Sequence, residues 1–446
     1  MISDMTKGNT YKVLFRFSLI IAAGNMLQQL YNLADVYIVG RYAGIDAMAS
    51  IGSASNSVLL FMNIAVGLNM GANVVIATSF GQRDITRVKN GIRTGIIIAA
   101  VISIVFTIIG IVFTDWILRV TNTPSELIAG ARTYLRIYFA GLIFVFLFNM
   151  FISVSQALGD SRTTFYSLII SCLINIILDL VLVKYIGLGI MGAALATVIS
   201  EIVCFMWGLA LIRKLFKQLK GNEKYYYDPR EGEEIIRESI PAILQRSVIS
   251  IGVTLMQSLI NQYGVNVMAG YVAGTKLFNL VSLPVMDIGN AVSTFTAQNI
   301  GGNKKERVRE GILAAIVLDV GFSLFILFLV FGFGEQIITF FISNQNNKEA
   351  INFGLRYIRI ACVFQIIQGT LQVYNGAIRG SADFKGFIGS YVLNLFSRVT
   401  FGYILSYFWG LKYIPYAWPI GWAVGLVTGY IRYYQLYYES YHVAEE

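Results

Sequence analysis

Long apolar runs, separated by short charged or glycine-rich breaks, occupy most of this sequence. A helix that crosses a bilayer needs about 20 mostly apolar residues, because the hydrocarbon core is about 30 Å thick. Twelve runs in the 446-residue chain fit that requirement: 13–38, 47–79, 92–115, 131–157, 163–185, 190–212, 239–262, 268–299, 310–334, 350–378, 386–409 and 415–437. The sequence therefore predicts an all-α integral membrane protein with twelve spanning helices.

The composition argues against most other classes of protein. Only 13% of the residues are charged, whereas a soluble protein has roughly 25%, so a soluble enzyme, a disordered chain and a nucleic-acid binder are all disfavoured. The single histidine, His442, excludes a histidine-built metal site. A membrane-embedded enzyme would need a clustered nucleophile and base, which the chain lacks. We therefore expect no catalytic residue, no cofactor and no nucleic-acid partner.

Lysine and arginine placement predicts the orientation, since cytoplasmic loops retain these residues. With both termini inside the cell, the inward-facing segments hold 22 of the 34 basic residues and the outward-facing segments nine. The net charge of +9 is thus explained by topology. The sequence predicts a multi-pass protein of the plasma (cytoplasmic) membrane with cytoplasmic termini and no cleavable signal peptide.

The chain also repeats itself. One long hydrophilic stretch, 213–238, separates residues 1–212 from 239–446, and GQRDITRVKNG at 81–91 recurs as GGNKKERVREG at 301–311, an offset of 220. Each half holds an even number of spans, so both enter the membrane in the same direction. We predict two pseudo-symmetric six-helix bundles, joined by a cytoplasmic linker, around a central cleft that permits alternating access.

Two spans carry a stripe of polar side chains on one helix face. The stripe in the first span, spaced i, i+3, i+4 and i+7, consists of Gln28, Tyr31, Asn32 and Asp35. The stripe in the fifth span, spaced i, i+4 and i+8, consists of Ser171, Asn175 and Asp179. Both spans run from inside to outside, which places the two carboxylates at a similar depth.

Two carboxylates in a dry pocket cannot both stay ionised without a cation. If the first and fifth helices pack together, Asp35 and Asp179 would take up a proton or bind Na⁺, and no other metal is expected. The alternative is that both aspartates are structural polar contacts between helices.

Other ionisable residues lie within predicted spans, where each is costly and so a candidate for function. Glu201 could line the same cavity as Asp179, and Asp287 follows Pro284, where a broken helix could expose carbonyls to a substrate. A structural role is expected for Asp319, which could pair with a base. The intramembrane basic residues expected to satisfy the acids or helix-end carbonyls are Arg246, Lys276 and Arg398.

Over nearly the whole chain, the sequence resembles the multidrug and toxic compound extrusion (MATE) family. The segments that carry the resemblance are QQLYNLADVYIVGR, SFGQRD, QALGDSRTTF, GAALAT and STFTAQNIGG. The resemblance implies a twelve-helix antiporter that expels organic cations or amphiphilic small molecules in exchange for H⁺ or Na⁺. It places the cation-coupling residues at Asp35, Asn175, Asp179 and Thr197.

The resemblance also implies a substrate cavity, for which the candidates are Gln28, Tyr31, Asn32, Glu201 and Asp287. Many relatives carry a proline where this chain has Ile20, so a proline-driven bend of helix one is in question. A flippase for a lipid-linked oligosaccharide on the same fold is the alternative function; it predicts a cleft lined by cationic side chains. A passive channel is a further alternative. One chain supplies both halves, so a monomer in contact with membrane lipids is expected.

Overall fold

Each predicted span corresponds to a helix or a pair of helices in the computed structural model, which describes residues 3–218, 227–342 and 347–442. Within these residues every regular element is helical. The α-helices are α1 (Thr10–Tyr42), α2 (Ile45–Gly81), α3 (Ile85–Val112), α4 (Thr114–Val120), α5 (Ile128–Ala140), α6 (Leu142–Ala157), α7 (Ser161–Asp179), α8 (Gly189–Gln218), α9 (Pro229–Asn261), α10 (Val265–Gly301), α11 (Lys305–Phe341), α12 (Lys348–Val363), α13 (Gln365–Gly380), α14 (Phe384–Trp409) and α15 (Ala417–His442). A π-helical turn, Leu180–Tyr185, follows α7, and a 3₁₀ turn, Leu411–Tyr416, precedes α15.

Seven of these helices are long and apolar enough to cross a membrane, and two bent pairs meet the same condition as single spans. The pairs are α5 with α6, bent by 53°, and α12 with α13, bent by 52°. The remaining three predicted spans are α10, α14 and α15, which have 37, 26 and 26 residues. They are long enough to span but less apolar, because glycine, serine, asparagine and tyrosine interrupt them.

The short breaks of the sequence end one helix and begin the next. The Asp84 carboxylate accepts a hydrogen bond from the Arg87 amide at 2.9 Å, and Asp160 accepts one from the Thr163 amide at 3.0 Å, so each caps the helix that follows. Gly44 and Gly264 precede α2 and α10 with φ of +96° and +93°. Glycine is favoured at both positions because it adopts positive φ without steric cost.

The chain divides into two compact units. Unit one comprises residues 1–4 and 23–243, and unit two comprises residues 5–22 and 244–446. Two helices contribute to both: the first part of α1 belongs to unit two, and the first part of α9 belongs to unit one. These helices occupy equivalent places in the repeat, so the exchange is reciprocal.

The arginines of the repeated motif, Arg87 and Arg307, bind the first parts of the two helices that are exchanged between the units. In unit one, Arg87 Nε lies 2.5 Å from Glu231 Oε1 and its terminal nitrogen lies 2.6 Å from Glu234 Oε2, both near the start of α9. In unit two, Arg307 donates to the carbonyls of Met5 and Lys7, just before α1, at 3.2 and 2.9 Å. The repeated motif therefore has a structural role that sequence comparison alone did not assign.

Glycines let α2 approach α9 closely within unit one. A Cβ atom on Gly71 would lie 2.6 Å from the Ser239 amide nitrogen, and one on Gly67 would lie 2.8 Å from the Ile243 amide nitrogen. The Ser239 hydroxyl uses this proximity to donate to the Leu68 carbonyl at 3.2 Å. Small residues at this spacing permit such backbone contact between membrane helices.

Candidate functional site: a buried carboxyl pair in unit one

The two predicted aspartates meet inside unit one. Asp35 lies in the last third of α1 and Asp179 is the last residue of α7, and their carboxyl groups face each other at hydrogen-bonding range. Asp179 is fully buried and Asn175, one turn earlier on the same face, is 1% exposed. The structure thus brings together three of the four predicted coupling residues.

Five side-chain polar atoms of these three residues lack hydrogen-bond partners among the described residues. Among the described residues, no hydrogen bond reaches Asp35 Oδ1, either oxygen of Asp179 or either polar atom of the Asn175 amide, and all five atoms are sealed from solvent. Buried polar groups are nearly always satisfied, because an unpaired one costs free energy. A proton shared between the carboxyl groups, or a small cation bound by their oxygens, would remove that cost.

A change in helix geometry follows Asp179 directly. The backbone passes from α7 into the π-helical turn, and Ile186 closes it by donating to the Val181 carbonyl at 2.9 Å. Such π insertions are rare and frequently lie at functional sites. Here the insertion begins immediately after the buried carboxylate.

Tyrosines complete the pocket, and two of them were not predicted. Tyr134 on α5 lies within electrostatic range of both aspartates, and Tyr138, one turn later, lies within range of Glu201. Their rings stack with centroids 6.3 Å apart. Tyr31 on α1 lies within range of Asp35 and Glu201, so it belongs to the same cluster. Only the i, i+4 tyrosine spacing in α5 could have indicated this role.

The remaining candidates of unit one occupy different surroundings. Glu201 on α8 has a sealed Oε2 with no hydrogen-bond partner among the described residues, as expected for a cavity residue. Thr197 is 8% exposed and its hydroxyl donates to the Ala193 carbonyl at 3.1 Å, which leaves its oxygen lone pairs available. Gln28 is half-buried and Asn32 is exposed, so the predicted stripe is only partly enclosed.

In unit two the buried acids are held by uncharged groups. Asp287 is 3% exposed and its Oδ1 accepts from Asn290 at 3.1 Å. Asp319 accepts from the hydroxyls of Ser323 and Thr370, both at 3.2 Å. The expectation that Asp319 could pair with a base is wrong; a structural role fits, because these bonds join α11 to α13.

The intramembrane arginines are not hydrogen-bonded as predicted. Arg246 lies within electrostatic range of Asp287, but its side chain forms no ion pair or hydrogen bond in the part of the chain that the structure describes, and its Nε is sealed without a partner. Arg398 lies beside Tyr271 and Tyr357, also with an unpaired Nε. Neither arginine therefore neutralises a buried acid through direct contact.

Known proteins match this chain over nearly its full length. The family model described as MatE matches residues 21–181 and 241–407. The probable multidrug resistance protein YpnP of Bacillus subtilis is 30% identical over 92% of this chain and 88% of its own length. The multidrug export protein MepA of Staphylococcus aureus is 22% identical over 85% and 84%.

A solved structure shares the fold. The outward-facing conformation of a multidrug resistance MATE family transporter aligns with a TM-score of 0.90 at 20% identity, covering 98% of this chain and 97% of that one. At this identity the likeness shows the fold alone, and it agrees with the predicted twelve-helix, all-α membrane architecture.

Proposed function

This chain belongs to the MatE family of membrane transporters, and from that membership we propose that it is a secondary active antiporter. It exports organic cations or related amphiphilic drugs in exchange for H⁺ or Na⁺, by alternating access. Drug efflux is supported by the multidrug transporters that match most of the chain. The coupling site of this antiporter comprises Asp35, Asn175 and Asp179, and the family resemblance adds Thr197 to it.

The facing carboxyl groups of Asp35 and Asp179 are the observation that carries this proposal. They lie at hydrogen-bonding range with no donor from the described residues, so the pocket is incomplete without a cation. The Asn175 amide, on the same helix face as Asp179, supplies one more unpaired oxygen. A proton needs only one carboxyl oxygen, whereas Na⁺ would need several of these oxygens together.

Coupling requires that the ion and the drug stabilise different conformations. Binding of a cation removes the repulsion between the two carboxylates, so it favours the conformation in which α1 and α7 hold them together. Loss of the cation restores the repulsion and favours separation of the two groups. Glu201 and Tyr31 lie within electrostatic range of each other, and Tyr31 also of Asp35, so we assign these two residues the link between the pair and the bound drug.

Reconstituted vesicles test the proposal. The full-length protein is placed in proteoliposomes loaded with the cationic dye rhodamine 123, and a pH gradient and a Na⁺ gradient are imposed separately. One gradient is expected to drive uphill dye transport, and Asp35→Asn or Asp179→Asn to lower that rate at least about tenfold.

A buried acid outside the pair serves as the control. Asp319→Asn keeps its hydroxyl partners and is expected to retain gradient-driven transport. Full uphill transport by Asp35→Asn and Asp179→Asn, each inserted and folded as the parent is, would show that the pair is not the coupling site. Downhill flux alone, under both gradients, would indicate a channel.

A further inference from the structure

Unit two contains a buried group of polar side chains that the proposed coupling mechanism does not use. It gathers residues from α9, α13 and α14, and we call it the arginine cluster. Its members are Gln245, Arg246, Asn375, Arg379 and Tyr391. The two arginines are close enough to repel each other, and Tyr391 lies within electrostatic range of both.

Arg379 is fixed in place without an acidic partner. Its Nε donates to the Ser293 hydroxyl at 2.9 Å and one terminal nitrogen donates to Asn290 Oδ1 at 3.1 Å. Its guanidinium also lies over the Phe387 ring, 5.8 Å from the centroid. No carboxylate forms an ion pair with Arg379 among the residues whose placement is described, so its charge is oriented but not neutralised.

Arg246 is less well satisfied than Arg379. Its side chain makes no hydrogen bond or ion pair within the described ranges, and its Nε is sealed. Asp287 lies within electrostatic range, but one oxygen of that carboxylate already accepts from Asn290. Arg246 is within range of this one carboxylate and Arg379 pairs with none among the described residues, which leaves the cluster positive.

The neighbouring amides add unpaired hydrogen-bonding groups. Gln245 is 6% exposed and Asn375 is 1% exposed, and neither Gln245 Oε1 nor either polar atom of the Asn375 amide has a hydrogen-bond partner from the described residues. The Tyr391 hydroxyl donates to Gln372 Oε1 at 2.5 Å, so it is held in one orientation. Gln245 and Asn375 lie close enough to the Tyr391 hydroxyl to interact with it, and the Arg246 Nε is a sealed donor without an acceptor among the described residues.

We propose that the arginine cluster binds an oxyanion, a carboxylate or phosphate group carried by an amphiphilic substrate. Arginine guanidinium groups match the geometry of planar carboxylates and of phosphates, and charge-assisted hydrogen bonds to them are strong in a partly dry site. Both arginine residues keep some exposed surface, while their guanidinium groups are buried. This inference rests on the proposed transport function and specifies its substrates. Zwitterions or acids bind at the arginine cluster of unit two, in addition to the simple cations that the protein exports.

A matched pair of dyes separates the contribution of the oxyanion. Rhodamine 110 has a free carboxylate, and rhodamine 123 is its methyl ester. Binding of each to the purified full-length protein in detergent is measured by fluorescence anisotropy. We expect Arg246→Gln and Arg379→Gln to raise the dissociation constant for rhodamine 110 about tenfold, with little change for rhodamine 123.

Arg398→Gln is the matched control, since Arg398 is a half-buried arginine of the same unit with an unpaired Nε outside the cluster. It is expected to bind both dyes as the parent does. Arg246→Lys, which keeps the charge, is expected to retain part of the preference for rhodamine 110. Equal losses for both dyes, or the same loss in Arg398→Gln, would overturn the proposal.

Competition identifies the source of the oxyanion. Displacement of rhodamine 110 by dioctanoyl phosphatidic acid, but not by dioctanoylglycerol, would assign the site to a lipid phosphate, and failure of both to compete would assign it to soluble carboxylates. Both results support an oxyanion site. Failure of the inference is distinct from failure of the proposed function, because gradient-driven transport of rhodamine 123 does not require the arginine cluster.

Discussion

The buried side chains at the two proposed sites differ in charge: they are acidic at the carboxyl pair of unit one and basic at the arginine cluster of unit two. Unit one encloses Asp35, Asp179 and Glu201 where no hydrogen bond reaches most of their oxygens within the described residues. Unit two encloses Arg246 and Arg379, and neither forms an ion pair within the same limits. An uncompensated charge inside a membrane protein is costly, so these groups are candidates for a functional role.

Arg87 is expected to stabilise unit one through its two glutamates. Glu231 is 4% exposed, so Arg87→Ala leaves a buried carboxylate without its cation. We expect the free energy of unfolding to fall by about 2–3 kcal/mol, less than for a fully buried pair because Arg87 is itself partly exposed. A thiol-reactive dye reports the melting temperature, since Cys172 and Cys204 are buried until the protein unfolds.

Arg83 provides the comparison for Arg87. Its side chain is 65% exposed and lies 3.0 Å from Asp4, an ion pair of the kind that contributes at most about 1 kcal/mol. Arg83→Ala is expected to melt almost as the parent does. Equal melting temperatures for the two alanine variants would contradict the role assigned to Arg87.

At this scale the sequence predicted the residues whose pattern is periodic. Asp35, Asn175 and Asp179 were found from helical spacing, because polar residues at i and i+4 share a face. Tyr134 and Tyr138 were not, since tyrosine in a span is equally typical of a membrane interface. Arg379 lies one residue beyond the tenth predicted span, 350–378, and hydropathy gives no sign that its side chain contacts Ser293 and Asn290.

Between elements, the contact of α2 with α9 depends on the absence of a side chain. A Cβ on Gly71 would lie 2.6 Å from the Ser239 nitrogen and 2.8 Å from the Ile235 oxygen, both backbone atoms that cannot rotate away. Gly71→Ala is therefore expected to displace α9 and lower the melting temperature in the same thiol assay.

Gly52 tests whether that loss is specific to the contact. It lies in the same helix, and nothing is within 4 Å of its Cβ position. Gly52→Ala is expected to leave the melting temperature unchanged or to raise it, since alanine favours a helix over glycine by up to about 1 kcal/mol. A similar decrease for both substitutions would mean that the close packing of α2 and α9 is not responsible.

Hydropathy predicted where the helices are but not how they bend. A run of about 20 apolar residues is compatible with a straight or a broken helix, so the 53° and 52° bends within the fourth and tenth spans could not be foreseen. The π-helical turn after Asp179 was equally hidden, because it depends on which carbonyl each amide reaches. Both features depend on which backbone amide bonds to which carbonyl, and the spacing of apolar residues does not determine that.

For the whole molecule, the predicted orientation can be tested with introduced cysteines. The three native cysteines are buried, so labelling of the folded protein reports only the added thiol. Lys412 and Arg230 are both exposed, and the charge distribution places them on opposite sides. In intact cells we expect a membrane-impermeant maleimide to label Lys412→Cys and to spare Arg230→Cys until the cells are opened. The reverse pattern would invert the topology.

The division into units combines a predictable and an unpredictable part. The repeat and the midpoint linker indicated two halves of six spans, and the structure has two compact units. The exchange of the first parts of α1 and α9 between the units could not be predicted from the sequence. Hydropathy indicates how apolar a segment is, but not which segment packs against it. Only the repeated Arg87 and Arg307 could have suggested that equivalent helix starts are held in equivalent ways.

That exchange imposes an order on biosynthesis. Residues 5–22 are translated before the residues they pack with, which begin only at Leu244. The start of α1 is therefore inserted into the membrane without its final neighbours, and more than two hundred residues are added before those neighbours are made. If translation stops before Leu244, the start of α1 therefore lacks the residues against which it packs in the full chain.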